Sequence, residues 1–253
     1  MKKNALFFTL ASLMLLSLTS CEEKSLIPDD QKHPDRRNIE AYVFNYWNGG
    51  SFYFDSVYAV AGGEIQISDI TMVFSDYEFS LSTADTVDAD TSFGVANLRK
   101  LPTKIGLLPA GTYTGEHQVT IGYTESMFNT PPSMAPSEIK ADGLLRSDVG
   151  YNHLLIRGKY RVEGDTINWL PTIPFEYRLG GTEFNVHFER PMSFSVTANN
   201  PVSIFFNLQV DMLFQGGLTP PNIPLIVSDP NDNDDYTAAT LLFNNLDQAL
   251  SLD

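Results

Sequence analysis

Gly63-Glu64-Ile65-Gln66-Ile67-Ser68-Asp69-Ile70, followed without a break by Thr71-Met72-Val73-Phe74-Ser75-Asp76-Tyr77-Glu78-Phe79-Ser80-Leu81, is the passage that decides the fold. Apolar and polar side chains take turns along it, with β-branched and aromatic residues on the apolar beat. A strand with one face in a core and one in water produces that period of two. The passage therefore predicts two strands, Ile65 to Ile70 and Thr71 to Leu81. The same signal returns at Ala41 to Trp47, Ser51 to Tyr58, Tyr113 to Tyr123, Tyr151 to Val162, Phe184 to Thr197 and Val202 to Phe214. Turn signals separate these runs: Asn48-Gly49-Gly50, Gly62-Gly63, Pro109-Ala110-Gly111, Gly180-Gly181 and Asn199-Asn200-Pro201. Many strands with Gly and Pro punctuation predict an all-β, antiparallel β-sandwich. Tyr236 to Leu250 departs from the pattern, because Leu242, Phe243, Leu246, Ala249 and Leu250 fall on one side of a helix. Two connections are long, 83–94 with Asp85, Asp88 and Asp90, and 125–148 with Pro131, Pro132 and Pro136. Connections of that length in a domain are functional or without fixed structure.

The N-terminus carries an address. Lys2 and Lys3 precede an uncharged apolar run from Ala5 to Leu18, and Leu18-Thr19-Ser20 leads into Cys21. A basic start, a short apolar run and small residues before a cut form a secretory signal peptide. The run is shorter than the roughly 20 residues a spanning helix needs. A cysteine directly after the cut makes it a lipoprotein signal, with lipidation expected at Cys21. Cys21 is the single cysteine, so acylation leaves none for a disulfide. The expected organisation is a signal peptide over 1–20, a lipidated polar tether over 21–37 and one sandwich domain over 38–253. Glu22-Glu23 beside the cysteine resembles the acidic signal for outer-face display in Bacteroidota-type lipoproteins. The expected location is the outer membrane, facing the periplasm or the surface, with the membrane engaged through the Cys21 acyl chains. The formal charge is −15, and removal of Lys2 and Lys3 leaves the chain more acidic still. Such a balance excludes binding to nucleic acid through its phosphates, and it repels anionic headgroups, so the anchor must do the holding.

Several stretches, taken together and in order, resemble the MbnP-like domain family of periplasmic and surface copper-binding proteins. They are Ala61-Gly62-Gly63 with Ile65 to Ile70, Leu108-Pro109-Ala110-Gly111-Thr112-Tyr113 with Ile121-Gly122, and Gly150-Tyr151 with Ile156-Arg157-Gly158-Lys159-Tyr160. Pro174-Phe175-Glu176-Tyr177-Arg178-Leu179-Gly180-Gly181 and Leu242-Phe243-Asn244-Asn245-Leu246 complete the set. The resemblance covers roughly residues 40–250. It implies a non-enzymatic binding protein with copper as its ligand. Members of the family carry tryptophans shortly before the Gly-Tyr pair and a histidine just before the Leu-Gly of the later turn. Here Leu145, Ser147 and Arg178 stand at those positions. Neutral imidazole is a borderline-soft donor that suits copper, whereas a protonated guanidinium offers no lone pair.

Four histidines could rebuild a site: His33, His117, His153 and His187. His153 and His187 are the candidate metal ligands, on condition that their strands meet. Asp229-Pro230-Asn231-Asp232-Asn233-Asp234-Asp235 begins like a calcium loop, but Asp234 and Thr240 stand where an EF-hand needs Gly and Glu. The alternative reading of the run is a solvated loop with Asp235 capping the helix that follows. No Gly-x-Ser-x-Gly elbow is present, and no motif speaks for an enzyme. Trp47, Tyr53, Tyr58 and Trp169 raise the alternative of a surface adhesion or glycan-binding module without metal; the partner, protein or glycan, is left open.

Overall fold

A computed structural model describes residues 36–81, 86–88, 93–135, 137–141, 143–146, 150–197, 202–228 and 233–252. The signal segment, Cys21, His33, Ser147 and most of the acidic run before the helix lie outside the described residues. In chain order the strands are β1 (Arg36–Trp47), β2 (Gly50–Ser51), β3 (Val57–Val60), β4 (Gly63–Leu81), β5 (Thr86–Asp88), β6 (Phe93–Asn97), β7 (Thr103–Pro109) and β8 (Gly111–Ile121). The 125–148 connection holds helix α1 (Glu125–Phe128), helix α2 (Ser137–Ala141) and strand β9 (Leu145–Arg146). Then come β10 (Gly150–Val162), β11 (Ile173–Gly180), β12 (Val186–Val196), β13 (Val202–Gln209), β14 (Leu225–Val227), helix α3 (Asn233–Ala249) and β15 (Leu250–Leu252).

Two sheets face each other. The smaller runs β15-β13-β1-β2, with β7 also on β1; the larger runs β12-β8-β4-β10-β11-β14, with β3, β5 and β6 on β4 and β9 on β10. The sandwich is mixed, not purely antiparallel: β1 and β13 are parallel, and so are β11 and β14. Both parallel pairs join segments far apart in the chain, so no hairpin spacing announces them.

The deciding passage forms one strand of 19 residues, β4, instead of two. Its core-facing residues change parity twice, from Ile65 and Ile67 to Ile70, Met72 and Phe74, then to Tyr77 and Phe79, all buried. Each change coincides with a bulge. Arg157 pairs with Asp69 while Gly158 pairs with Ile67, which leaves Ser68 as the extra residue. A second register shift lies between Ser75 and Glu78 against β8. An extra residue flips which side chains face inward. The core is closed by Ile204, Phe206 and Leu208 of β13 and Ile39, Ala41 and Val43 of β1. Phe74 and Phe206 meet across the two sheets at 5.0 Å. Helix α3 closes one side through Leu242, Leu246 and Ala249. It begins at Asn233, so Asp235 lies in its first turn and does not precede it as a cap. β1 begins at Arg36, inside the stretch expected to be tether.

Candidate functional site

The outward face of the larger sheet is also covered. Val73 of β4 and Leu155 of β10 sit between core-facing neighbours and so point away from the sandwich core. They form a second apolar cluster with Tyr123, Ala135, Ile139, Leu144 and Tyr151, against which Met127 and Phe128 pack. The 125–144 connection thus acts as a cover over this face. Polar ties hold it in place. Tyr151 donates to the Thr130 carbonyl at 2.6 Å, the Asn152 amide to the Leu144 carbonyl at 2.8 Å, and the Tyr123 hydroxyl to the Asn152 carbonyl at 3.0 Å. Asn185 clamps Tyr123 from the other side, accepting from its N–H at 3.2 Å and donating to its carbonyl at 2.9 Å.

His153 lies beside this cluster at a break in the ladder. Asn152 pairs with Gly180 and Leu154 with Leu179, so His153 is the extra residue of a bulge on β10. Its side chain is fully buried and its ring stands edge-on to Tyr123 at 6.4 Å. Among the described residues neither ring nitrogen meets a partner at full hydrogen-bond geometry, and the Phe184 backbone is the polar group nearest to forming one. Burial lowers its pKa to about 4, and the Phe184 backbone opposes that shift only in part. The imidazole is therefore neutral near pH 7. The Tyr123 hydroxyl is pushed up by the same desolvation, with Tyr151 adding to the effect, and stays protonated.

His187 is elsewhere. It stands on β12, exposed, with Nδ1 at 2.9 Å from the Thr120 hydroxyl. β12 and β10 do not pair, and β8 and β4 lie between them. The condition under which His153 and His187 would share a metal is not met. His117 is buried among Phe79 and Phe194 and bonds the Met192 carbonyl through Nε2 at 3.1 Å. Among the described residues no group of three or more His, Cys, Asp and Glu side chains is placed to hold a metal ion.

Two of the three positions singled out by the resemblance, Leu145 and Arg178, lie next to the covered face. Leu145 on β9 pairs with Tyr151. Arg178 on β11 pairs with Leu155. The Arg178 guanidinium is engaged by Glu176, whose other oxygen takes Arg157 Nε at 2.7 Å. Partial burial alone would raise the Glu176 carboxyl, but the Arg157 hydrogen bond and the Arg178 charge overcome it and hold it below the ordinary carboxylate range. At the position where the resemblance implies a histidine, this chain has a cation paired with a carboxylate. A protonated guanidinium supplies copper no lone pair.

The aromatic residues do not form one platform. Trp47 and Tyr58 stack on each other at 4.3 Å and pack with Phe52 and Phe214 against the core. Trp169 is 89 % exposed on the β10–β11 turn, beside Ile167 and Leu170. The bulge at His153 and its cover by α1 and α2 were not visible in the sequence. The length and prolines of the 125–148 connection and the choice of His153 as a candidate ligand were the signals there.

No family model matches the chain, and no curated protein matches it. Among solved structures it is similar to MbnP from Methylosinus trichosporium, with 11 % identity, 81 % of this chain and 87 % of that chain covered, and a TM-score of 0.49. The likeness concerns the path of the backbone and not the chemistry of any side chain.

Proposed function

We propose that this chain is an envelope lipoprotein, held at the outer membrane by acyl chains on Cys21, whose sandwich is a non-enzymatic binding module. It works without the copper site of the MbnP-like family that its sequence resembles. The observation that carries the reading is Arg178. Its ion pair with Glu176, shared with Arg157, occupies the position of the family histidine. A guanidinium cannot become a metal donor at any physiological pH, and its loss would leave Glu176, a partly buried carboxylate, with Arg157 as its remaining cation.

The anchor rests on the sequence from Lys2 to Cys21. Among the described residues no helix is long and apolar enough to cross a membrane. Each buried CH2 contributes about 0.8 kcal/mol, so several acyl chains hold a protein that its own acidic surface would not. Mass spectrometry of the mature N-terminus tests this half of the proposal. It should show Cys21 carrying diacylglycerol and a fatty acid, and Cys21→Ala should leave the chain uncut and unlabelled by palmitate. A mature chain starting elsewhere with an unmodified Cys21 would overturn it. The metal half is tested by copper retention, which this reading expects to be absent.

A further inference from the structure

The turn between β10 and β11 presents an apolar point. Ile167 is 84 %, Trp169 89 % and Leu170 59 % exposed. It is built to hold that shape. Asp165 Oδ1 accepts from the Ile167 N–H at 2.9 Å and the Asn168 N–H at 3.2 Å, and Oδ2 accepts from Asn168 Nδ2 at 2.9 Å. Arg161 donates to the Asn168 carbonyl at 2.7 Å and pairs with Glu64 at 2.6 Å. Asp165 and Arg161 thus fix the turn, and three apolar side chains are left facing out.

We propose that this point inserts into the boundary layer of a lipid bilayer. The proposal rests on the reading that Cys21 holds the chain at a membrane. Three side chains at the end of a hairpin fall short of the roughly 800 Å² per partner that a stable protein interface needs. A bilayer requires no complementary surface. Indole favours the headgroup level of a membrane, and a turn already fixed by Asp165 and Arg161 loses little conformational freedom when it enters that layer. The geometry permits it. The chain joins the sandwich at Arg36, which pairs with Pro109 beside the β7–β8 turn. The tip lies at the other end, where Val162 pairs with Gly63. The 12 residues of β1 cover about 40 Å of that length, and the segment from Cys21 to Arg36 can reach up to about 50 Å. An anchored chain can therefore turn its tip to the same membrane.

Trp47 is the other of the chain's two tryptophans, so the emission lost in Trp169→Phe belongs to Trp169. The full chain is mixed with vesicles of phosphatidylethanolamine and phosphatidylcholine, with and without brominated acyl chains. The expected result is a blue-shifted Trp169 emission quenched by the brominated lipid, and loss of that quenching when Ile167 and Leu170 are both changed to Ser. An acylated, vesicle-bound chain whose Trp169 emission stays water-like and unquenched overturns the proposal and leaves the anchor standing. A shift that follows protein concentration without vesicles also overturns it and gives the tip to a second copy. If mass spectrometry finds Cys21 unmodified, the anchor fails on its own, and quenching at excess lipid still decides the tip.

Discussion

Lowering the pH from 7 to 5 should cost the folded chain about 2 kcal/mol through His153 alone, and about 3 kcal/mol by pH 4. The folded pKa, about 4, lies below the ordinary value of the unfolded chain. Between the two values the unfolded state holds more protons, so acid favours it. The stability is fully present above the unfolded pKa and drains away as pH falls toward the folded one. His117, also lowered by burial, adds to the same window. Glu176 adds its own loss only at more acid pH, where its depressed carboxyl takes a proton. His153→Leu should flatten the profile between pH 7 and 5 and raise stability at pH 5, since it replaces a buried titratable ring by an apolar side chain that takes no proton. Urea midpoints of both proteins at the two pH values measure this. An unchanged slope in the variant would show that the imidazole is not the group responsible.

Gly122→Ala should destabilise by about 3 kcal/mol or more. Gly122 has φ +147°, and an added Cβ would stand 1.8 Å from Asn185 Oδ1. That side chain would have to leave, and both of its bonds to Tyr123 would go with it. Asn185→Ala should cost about 2 kcal/mol for the same two bonds. In the Asn185→Ala background, Gly122→Ala should then cost only about 1 kcal/mol, from the backbone strain and the 3.0 Å approach to the Cβ of residue 185 that remain. Strict additivity in denaturant unfolding would show that the clamp is not what the methyl disturbs. The consequence for the site is direct, because Tyr123 carries one wall of the His153 environment.

The fold was largely legible, and the reasons are specific. β8, β12, the first part of β4 and the last part of β10 each bury one face, and alternation reports that. The division of β4 at Ile70 followed a real change of parity, but the cause is a bulge at Ser68 within one continuous strand. Helix α3 is long enough for its apolar period to show. Helices α1 and α2, of 4 and 5 residues, are too short for any period. They vanish into what reads as a long loop, and the burial of His153 vanishes with them. The parallel pairing of β1 with β13 depends on long-range contacts that no local signal carries. At the site, Arg178 was visible as a departure from the family pattern. That Glu176 and Arg157 hold it in place required the register of β10 against β11.

Copper binding is the decisive measurement. The mature chain is titrated with Cu(I) and Cu(II) by calorimetry, dialysed, and assayed for metal, alongside His153→Ala and His187→Ala. The account predicts no stoichiometric copper after dialysis and no difference among the three proteins. Tightly held copper at one per chain, lost in either histidine variant, would contradict it and show that a site forms from ligands this geometry keeps apart.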